Sequence, residues 1–441
     1  MGESVLNVER AEAFGYRDDA LHCEDVAAEK LVAQYGTPLY VYSRAAIEAG
    51  YREIRDAFAE LDPIIAYSVK ANGNLSVLRI LTSLGAGADI VSGGELFRAL
   101  RARVPAERIV FSGVGKTVVE MAAALEVGIY GFNVESEGEL RALSDLGRTM
   151  QKRVPVALRV NPDIHADTPH VYTRTGHAES KFGIPWAQAL DMYRLADDLP
   201  WIKVKGIDVH IGSQILEPEP YRQALEQVLD LVDRLDDEGI RLRYLDIGGG
   251  FGITYDDPEA VDHPSSIQDF AELLVPPLRE RKLRLVLEPG RYLVGPAGVL
   301  LTRVLYVKQM GRKTYVITDA GMNDLLRPSH YSSYHAVWPA RRESGRETLH
   351  VDVVGPVCES GDFLAMDRPL EKPQPGELLA IRTTGAYGFS MASTYNARPR
   401  PAEAMVHGER SWLVRRRETY DDLIRGELEP LEALDRSLRR R

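Results

Sequence analysis

Short apolar runs recur along the chain, and most of them end abruptly at a polar residue or a glycine. Runs of about four to eight apolar, β-branched residues bounded by turn residues are typical of buried strands. The run at 64–69 stops at Lys70 and is followed by Ala71, Asn72 and Gly73. We predict eight strands of this kind, at 63–70, 88–92, 108–112, 130–135, 155–161, 204–212, 244–250 and 284–289.

Amphipathic stretches lie between these runs, with apolar residues at three- and four-residue spacing, which indicates helices with one buried face. They occur at 75–84, 94–103, 117–127, 137–146 and 221–238. Strands that alternate with helices imply parallel strands covered by helices. Eight such units over roughly 230 residues favour a (β/α)8, TIM-type barrel over a doubly wound open sheet.

The pattern changes after Gly295, where strands follow one another without intervening helices and prolines separate them. These strands are expected at 299–307, 314–317, 349–354 and 377–383. The change predicts a separate all-β domain of β-sandwich or barrel-like form. We therefore expect a barrel at 36–294 and a β-domain formed by 295–441 and completed by 1–35, with a charged, helix-prone tail from residue 419.

Composition supports this picture and excludes several classes of protein. The chain has 441 residues, 44% of them hydrophobic and 27% charged, as expected of a globular protein with two domains. A net charge of −11 argues against a nucleic-acid partner, and no apolar stretch is long enough to cross a membrane. With no secretory signal and only Cys23 and Cys358, we expect a cytoplasmic protein without disulfides.

Each predicted strand ends in a residue that can react or bind a ligand. In a barrel these ends meet at one face, where active sites are built. A single polar strand end is unremarkable, but eight in succession are difficult to explain as caps alone. The residues are Lys70, Ser92, Ser112 with Gly113, Asn133, Asn161, His210, Gly248 to Gly250, and Glu288 with Arg291.

Four of these strand ends have both a structural and a chemical interpretation. Lys70 is either a surface cap or a partly desolvated amine that attacks a carbonyl group. The glycines at 248–250 form either a plain turn or a phosphate cradle. His210 is either structural or a flat surface for a ring. Glu288, ending a buried strand, needs a cationic partner, which is either Arg291 or a protonated ring nitrogen of a cofactor.

One cofactor uses all four groups. Pyridoxal phosphate has an aldehyde for a lysine, a phosphate, an aromatic ring and a pyridine nitrogen that a carboxylate keeps protonated. A glutamate partner makes the ring a strong electron sink, which suits reactions that leave a carbanion at Cα, such as decarboxylation. No metal site is predicted.

The sequence motifs resemble those of the fold type III pyridoxal-phosphate-dependent decarboxylases, and within them the diaminopimelate decarboxylases. The resemblance covers nearly the whole chain, and the ordered set of motifs is much more specific than any one of them. The motifs are at 67–72, 87–96, 180–184, 210–214, 248–250, 288–291, 319–328, 358–362, 385–388 and 395–401.

The resemblance implies roles for individual residues. Lys70 would bind the cofactor aldehyde, His210 would stack on the ring, and Cys358 would return a proton to the carbanion, which makes these three the catalytic residues. The expected cofactor-binding residues are Lys70, Asp89, His210, Gly248, Gly249, Gly250, Glu288, Pro289, Gly290, Arg291 and Tyr387. The expected substrate-binding residues are Arg291, Arg327, Tyr331, Glu359 and Tyr387.

The implied reaction is decarboxylation of meso-2,6-diaminopimelate to L-lysine, the last step of lysine biosynthesis, in a homodimer whose β-domains contribute Cys358 and Glu359 to the partner's site. A cationic Arg327 suits a carboxylate-bearing substrate tail better than the cationic tail of ornithine or arginine. The alternatives are a related decarboxylase, acting on carboxynorspermidine, ornithine or arginine, and a catalytically silent regulatory relative. A racemase would need acid–base groups on both ring faces, for which the sequence offers no pair.

Overall fold

The computed structural model describes residues 13–164, 180–255, 264–279, 281–343 and 345–438. These residues form two compact units. The first contains the described residues of 46–254 and 258–296, and the second those of 11–45, Tyr255 and 297–441. The first unit starts about ten residues later than the barrel boundary expected at residue 36, because the strand Leu39–Ser43 pairs within a sheet of the second unit.

The first unit is built on a closed barrel of parallel strands, which confirms the predicted fold class. Within the described residues the barrel has eight strands, and each pairs with the next along the chain. The last strand pairs with the first and closes the barrel. A two-residue strand, Ile184–Pro185, adds to one side. The barrel strands are Ile64–Ser68, Gly87–Ile90, Ile109–Phe111, Gly131–Val134, Val154–Asn161, Ile202–Asp208, Tyr244–Asp246 and Arg284–Leu287.

Helices follow the strands in sequence, and all five predicted helices are present. Several begin at a capping side chain that accepts a hydrogen bond from a free backbone N–H, such as Ser92 and Thr117, which fixes where the helix starts. The helices are Arg44–Ala57, Leu75–Ser83, Gly93–Arg101, Val118–Val127, Glu137–Met150, Ala189–Asp198, Glu219–Asp237, Ile267–Arg279 and Arg291–Val294. Short 3₁₀ turns occur at Ala59–Leu61, Val69–Ala71, Ala106–Arg108 and Trp186–Gln188.

Four of these helices were not predicted from the sequence, namely Arg44–Ala57, Ala189–Asp198, Ile267–Arg279 and the four-residue Arg291–Val294. Arg44–Ala57 follows its strand directly, without a glycine or polar turn. Ala189–Asp198 has no side-chain cap at its start. Ile267–Arg279 contains Pro276 and Pro277, which normally end a helix.

Apolar side chains from different strands pack together in the centre of the barrel unit. This cluster consists of Ile64, Ala66, Val110, Ala157, Tyr244 and Val286, all buried. The Tyr244 ring fits because glycines on two other strands leave space for it. A Cβ at Gly131 would lie 2.6 Å from the Tyr244 hydroxyl oxygen, and a Cβ at Gly206, on the adjacent strand, would lie 2.6 Å from its ring. Glycine at these two positions therefore allows the large ring to be buried inside the barrel unit.

The second unit is a mixed β-sheet domain, as expected. Its long strand Gly298–Met310 pairs antiparallel with Leu39–Ser43, Lys313–Thr318 and Leu378–Ile381. The other strands of this sheet are Val337–Pro339, Thr348–Val354, Phe363–Glu371, Ala402–His407 and Arg410–Arg415. A separate three-stranded sheet consists of Phe14–Arg17, Ala20–Cys23 and Val26–Ala27. N-terminal strands thus complete the domain.

The helices of the second unit are short. They are Ala28–Tyr35, Arg327–Tyr331, Tyr420–Ile424 and Leu428–Leu438, with 3₁₀ turns at Phe389–Met391 and Tyr395–Ala397. The two C-terminal helices agree with the helix-prone tail expected from residue 419. Among the described residues, no helix is both long enough and apolar enough to span a membrane.

Candidate active site

Lys70 lies in the 3₁₀ turn that follows the first barrel strand. Its Nζ donates a hydrogen bond of 2.9 Å to Oδ2 of Asp89, at the end of the next strand. The Lys70 side chain is 39% exposed and Asp89 is fully buried. Lys70 is therefore partly exposed, and it is ion-paired with a buried carboxylate on the adjacent strand.

The Asp89 carboxylate is shared between two donors. Ser68 Oγ donates to the same oxygen, Oδ2, at 2.7 Å, and Ser68 Oγ also lies 3.0 Å from the carbonyl oxygen of Glu288. The second oxygen, Oδ1, is buried and has no hydrogen-bond partner within the described ranges. Because a buried polar atom without a partner is costly, Asp89 is a candidate for contact with a bound group.

The turn at Gly248 to Gly250 follows the seventh barrel strand, as the sequence indicated. A Cβ at Gly249 would collide with the carbonyl oxygen of Glu288, and one at Gly250 with the carbonyl oxygen of Gly212. Gly248 and Gly250 also have positive φ angles of 69° and 97°, which favour glycine. Only glycine therefore fits all three positions.

Hydrogen bonds hold this turn by its carbonyl groups. Tyr221 donates its hydroxyl to the carbonyl oxygen of Gly249, and Ile215 N donates to that of Gly250 at 2.9 Å. In the described part of the chain, the N–H groups of Gly249 and Gly250 donate no hydrogen bond. Two such neighbouring amides can bind a phosphate.

Glu288, Pro289, Gly290 and Arg291 connect the last barrel strand to a short helix. Ser68 N donates to the carbonyl oxygen of Pro289 at 3.1 Å, so this segment lies against the turn that carries Lys70. A Cβ at Gly290 would lie 3.0 Å from the Cβ of Ser68, so the approach is close. Arg291 is buried, and its Nη2 lies 3.1 Å from Ser213 Oγ.

The Glu288 carboxylate is buried among neutral donors and other acids. Ser112 Oγ and Asn133 Nδ2 donate to its Oε1 at 3.2 and 3.3 Å. Among the described residues it forms no ion pair with a basic side chain, so the structural pairing with Arg291 considered from the sequence is not observed. Burial, followed by the nearby Asp246, Asp89 and Asp208, raises the pKa of Glu288 well above its usual value.

His210 follows the sixth barrel strand and packs on the glycine turn. A Cβ at Gly248 would lie 2.5 Å from the His210 Nδ1, so glycine at this position leaves space for the ring beside the backbone. Burial, and then the charges of Arg159 and Lys70, lower the pKa of His210 well below its usual value. The imidazole is therefore neutral and can present a flat face to an aromatic ring.

Several polar residues of this site were not assigned a role from the sequence. Arg159 donates to Glu135 at 3.1 Å, and its Nε lies 3.9 Å from Asp208. Carboxylate oxygens of Asp208, Asp246 and Glu288 all lie within 4.8 Å of one another. Asp208 and Asp246 each end a barrel strand, and that position was the available clue.

The second unit holds Arg327, Tyr331 and Tyr387 together. The Arg327 guanidinium lies over the rings of Tyr255, Tyr331 and Tyr387, with its Cζ 5.4, 5.7 and 6.0 Å from the ring centroids. It also donates to His335 Nε2 at 3.3 Å and to the hydroxyls of Tyr255 and Ser333, each at 3.1 Å. Tyr255 and His335 were not identified from the sequence, because they lie outside the motifs.

Cys358 and Glu359 lie on the surface of the second unit. Both residues are exposed, and Cys358 is a free thiol, whereas the other cysteine, Cys23, is buried. The backbone N–H of Cys358 donates to Asn396 Oδ1 at 2.7 Å, and that of Glu359 donates to the carbonyl oxygen of Val357 at 2.8 Å. These bonds hold the backbone while the thiol remains accessible.

Pyridoxal phosphate fits the residues of the barrel unit. Unused amides at Gly249 and Gly250 match its phosphate, and the unpartnered Asp89 Oδ1 beside Lys70 marks a polar position for a ligand. Neutral groups donate hydrogen bonds to one oxygen of the buried Glu288 carboxylate. A protonated ring nitrogen would be a suitable cationic partner for this carboxylate. Lys70, His210 and these groups all stand at the carboxyl ends of the barrel strands.

Comparison with known proteins agrees with this fit. The family described as "Pyridoxal-dependent decarboxylase, pyridoxal binding domain" matches residues 44–295, more than half of the chain. A diaminopimelate decarboxylase of Pseudomonas aeruginosa is 49% identical over 416 residues, covering 94% of this chain and 99% of that protein. One from Aquifex aeolicus is 47% identical over 414 residues, covering 94% and 97%.

A solved structure of a diaminopimelate decarboxylase is also similar to this chain. The crystal structure of diaminopimelate decarboxylase from Helicobacter pylori complexed with L-lysine has a TM-score of 0.86 and 40% sequence identity, and the match covers 91% of this chain and 99% of that one. The cofactor predicted from the sequence, pyridoxal phosphate, is confirmed by the family match. The chain therefore belongs to the pyridoxal-dependent decarboxylases and, within them, to the diaminopimelate decarboxylase family.

Proposed function

We propose that this protein is a carboxy-lyase that converts meso-2,6-diaminopimelate to L-lysine and carbon dioxide with pyridoxal phosphate. The observation that carries the proposal is the Lys70–Asp89 pair at the end of one barrel strand, in a ring of strand ends that also holds the glycine turn and Glu288. The lysine bound in the Helicobacter pylori relative supports lysine as the product.

Bound pyridoxal phosphate supplies the electron sink that accepts the electron pair of the broken bond between Cα and the carboxylate. The residues of the barrel unit hold and orient it. Lys70 provides the amine for its aldehyde, and Asp89 accepts a hydrogen bond from that amine. The N–H groups of Gly249 and Gly250, with Arg291, would bind the phosphate. His210 would pack on the ring, and Glu288 would pair with the ring nitrogen.

Arg327 would bind the distal carboxylate of diaminopimelate. The other expected substrate contacts are Tyr331, Tyr387, Glu359 and Arg291. The hydrogen bonds of Arg327 to His335, Tyr255 and Ser333 support this role, because none of these three partners carries a negative charge. These contacts fix the position of the guanidinium, and its positive charge suits a carboxylate.

Cys358 would return a proton to Cα after carbon dioxide leaves. Its exposed thiol supports this role, since a proton donor on a surface loop can reach a site outside its own unit. We place that site in a second copy of the chain, so the working form is a homodimer with shared active sites. A cytoplasmic location fits a biosynthetic enzyme with free cysteines.

The test is lysine formation from meso-diaminopimelate by the purified protein with added pyridoxal phosphate, with ornithine assayed in parallel. We expect lysine from the first and no putrescine from the second. The Lys70→Ala variant is the inactive control. An Arg327→Gln variant should raise KM for diaminopimelate with a smaller effect on kcat, because it removes a contact to the distal end. Putrescine formation, or an unchanged KM in this variant, would contradict the assignment of Arg327.

A further inference from the structure

Three acidic side chains crowd the centre of the barrel mouth, the face formed by the carboxyl ends of the barrel strands. Asp208, Asp246 and Glu288 are buried, and their carboxylate oxygens lie within 4.8 Å of one another. Like charges at this separation in a low-dielectric interior cannot all ionise. The group must therefore either hold a proton or be neutralised by nearby cations.

The described cations near this group are already engaged. Arg159 donates to Glu135 at 3.1 Å and reaches Asp208 only at 3.9 Å. Lys70 pairs with Asp89 at 2.9 Å. The charged and titratable groups that act on one or more of these three acids are Lys70, Asp89, Glu135, Arg159 and Tyr244. With the three acids included, acidic groups outnumber basic ones, which favours retention of a proton.

Asp246 and Glu288 share a hydrogen-bond donor, the side-chain amide of Asn133. Asn133 Nδ2 lies 3.3 Å from Glu288 Oε1 and 3.4 Å from Asp246 Oδ2, so one amide bridges the two acids. Gly248 N donates to Asp246 Oδ1 at 2.9 Å and ties this side chain to the glycine turn. Burial raises the pKa of Asp246 to about 6, against the opposing effects of Gly248 and of a hydrogen bond to Glu288.

We infer that Asp246 is a positioning residue that keeps a proton on Glu288, and that Glu288 passes this proton to the ring nitrogen of pyridoxal phosphate when the cofactor binds. The inference depends on the proposed function, in which Glu288 faces that nitrogen. One O–H bond of Glu288 breaks and one N–H bond of the ring forms. Glu288 becomes a carboxylate beside a cationic ring, and no proton is taken from solvent.

The Asp246→Asn variant tests this step. An asparagine removes the negative charge and points an amide donor at Glu288, so both changes favour ionised Glu288 in the cofactor-free protein. The ring nitrogen must then draw its proton from solution, and affinity weakens as the pH rises. We expect the ratio of variant to wild-type Kd for pyridoxal phosphate to rise by up to roughly tenfold per pH unit between about pH 7 and 9. The free cofactor titrates identically in both measurements, so its own pH dependence cancels in the ratio of the two Kd values.

Glu403→Gln is the matched control. It also removes a buried carboxylate, but Glu403 lies in the second unit, where it accepts hydrogen bonds from Tyr42 and Arg415. We expect its Kd ratio to the wild type to stay constant with pH. A constant ratio for Asp246→Asn, or the same slope in both variants, would overturn the inference. Absence of cofactor binding by the wild type would instead refute the proposed function.

A second measurement needs only the wild-type protein, so it remains decisive if Asp246→Asn fails to fold. Infrared difference spectra recorded on addition of pyridoxal phosphate should show the loss of a protonated-carboxyl C=O band. That band should shift when glutamate and aspartate side chains carry ¹³C. If no protonated-carboxyl band is lost on binding, the pair does not supply the proton.

Discussion

Lys70 and Asp89 show how one buried carboxylate organises the reacting group. Asp89 accepts hydrogen bonds from Lys70 and from Ser68 through the same oxygen, at 2.9 and 2.7 Å. The Ser68 hydroxyl in turn contacts the backbone of Glu288, which links three neighbouring strand ends. The position of the amine therefore depends on a carboxylate one strand away.

Replacing Asp89 with asparagine should weaken cofactor binding without unfolding the protein. The change removes the charge from a hydrogen bond worth about 1.5–3 kcal/mol, so we expect roughly a tenfold to hundredfold loss of affinity for pyridoxal phosphate. An absorbance titration with the cofactor measures this loss. Asp145→Asn is the control, because the Asp145–Arg148 pair is exposed and contributes little. Unchanged affinity in Asp89→Asn would show that Lys70 does not need its partner.

The neutral His210 imidazole predicts a pH dependence of stability. Its pKa is lowered in the folded protein, so below the unfolded value of about 6.5 the unfolded chain takes up a proton that the folded chain does not. The free energy of unfolding should fall with decreasing pH in this window. A His210→Gln variant, which cannot titrate, should lose about 1 kcal/mol less than the wild type between about pH 7.5 and 5.5.

Urea denaturation at several pH values measures this difference. His350→Gln serves as the control, since His350 is exposed on the second unit. If His210→Gln loses as much stability as the wild type over this pH range, His210 is not held neutral by the fold.

At the scale of elements, the glycine turn 248–250 shows how close backbone approach makes a binding site. Tyr221 and Ile215 bind its carbonyl groups, and the neighbouring segment at Glu288 leaves no space for a Cβ at Gly249. These contacts hold the turn through its carbonyl groups, so the N–H groups of Gly249 and Gly250 remain available for a ligand.

A Gly249→Ala substitution should deform this turn and lower cofactor affinity by at least about tenfold, because the new Cβ collides with the Glu288 carbonyl group. Gly138→Ala is a matched control in an open helical position, where a Cβ meets nothing within 4 Å. There the alanine should stabilise the protein by roughly 0.5–1 kcal/mol. Thermal unfolding and cofactor titration together measure both effects, and equal cofactor affinity in the two variants would contradict the role of the turn.

At the scale of the whole molecule, the residues assigned to the reaction are divided between two units. Lys70 belongs to the barrel unit, and Cys358 belongs to the β-domain, where its thiol is exposed. In the proposed homodimer each active site combines Lys70 of one subunit with Cys358 of the other. A subunit that lacks Lys70 and a subunit that lacks Cys358 should therefore form one intact active site when they pair.

Mixing the Lys70→Ala and Cys358→Ala variants tests this arrangement. Each variant alone should be nearly inactive, whereas unfolding and refolding an equal mixture should restore about a quarter of wild-type activity, because half of the dimers are mixed and each has one intact site. Lysine production before and after mixing measures the recovery. If mixing restores no activity, while the mixture refolds to the dimer, Lys70 and Cys358 do not act across subunits.

The architecture and the ring of reactive strand ends could be predicted from the sequence. Alternating apolar runs and amphipathic stretches are local patterns, so they predicted the eight barrel strands and the β-domain. Polar residues directly after those runs, such as Lys70 and Glu288, could be located for the same reason. Motif resemblance added the residues of the β-domain, including Arg327 and Cys358, which no periodicity would have distinguished.

Which of these side chains contact one another depends on the folded structure. Asn133 contacts Asp246 and Glu288 across 113 and 155 residues of sequence. The Lys70–Asp89 pair and the close approach of Gly249 to Glu288 likewise depend on strand register and on closure of the barrel. A local pattern shows where a strand ends, but contacts between strand ends are set by how all eight strands pair. Contact partners and pKa shifts therefore emerge only after folding.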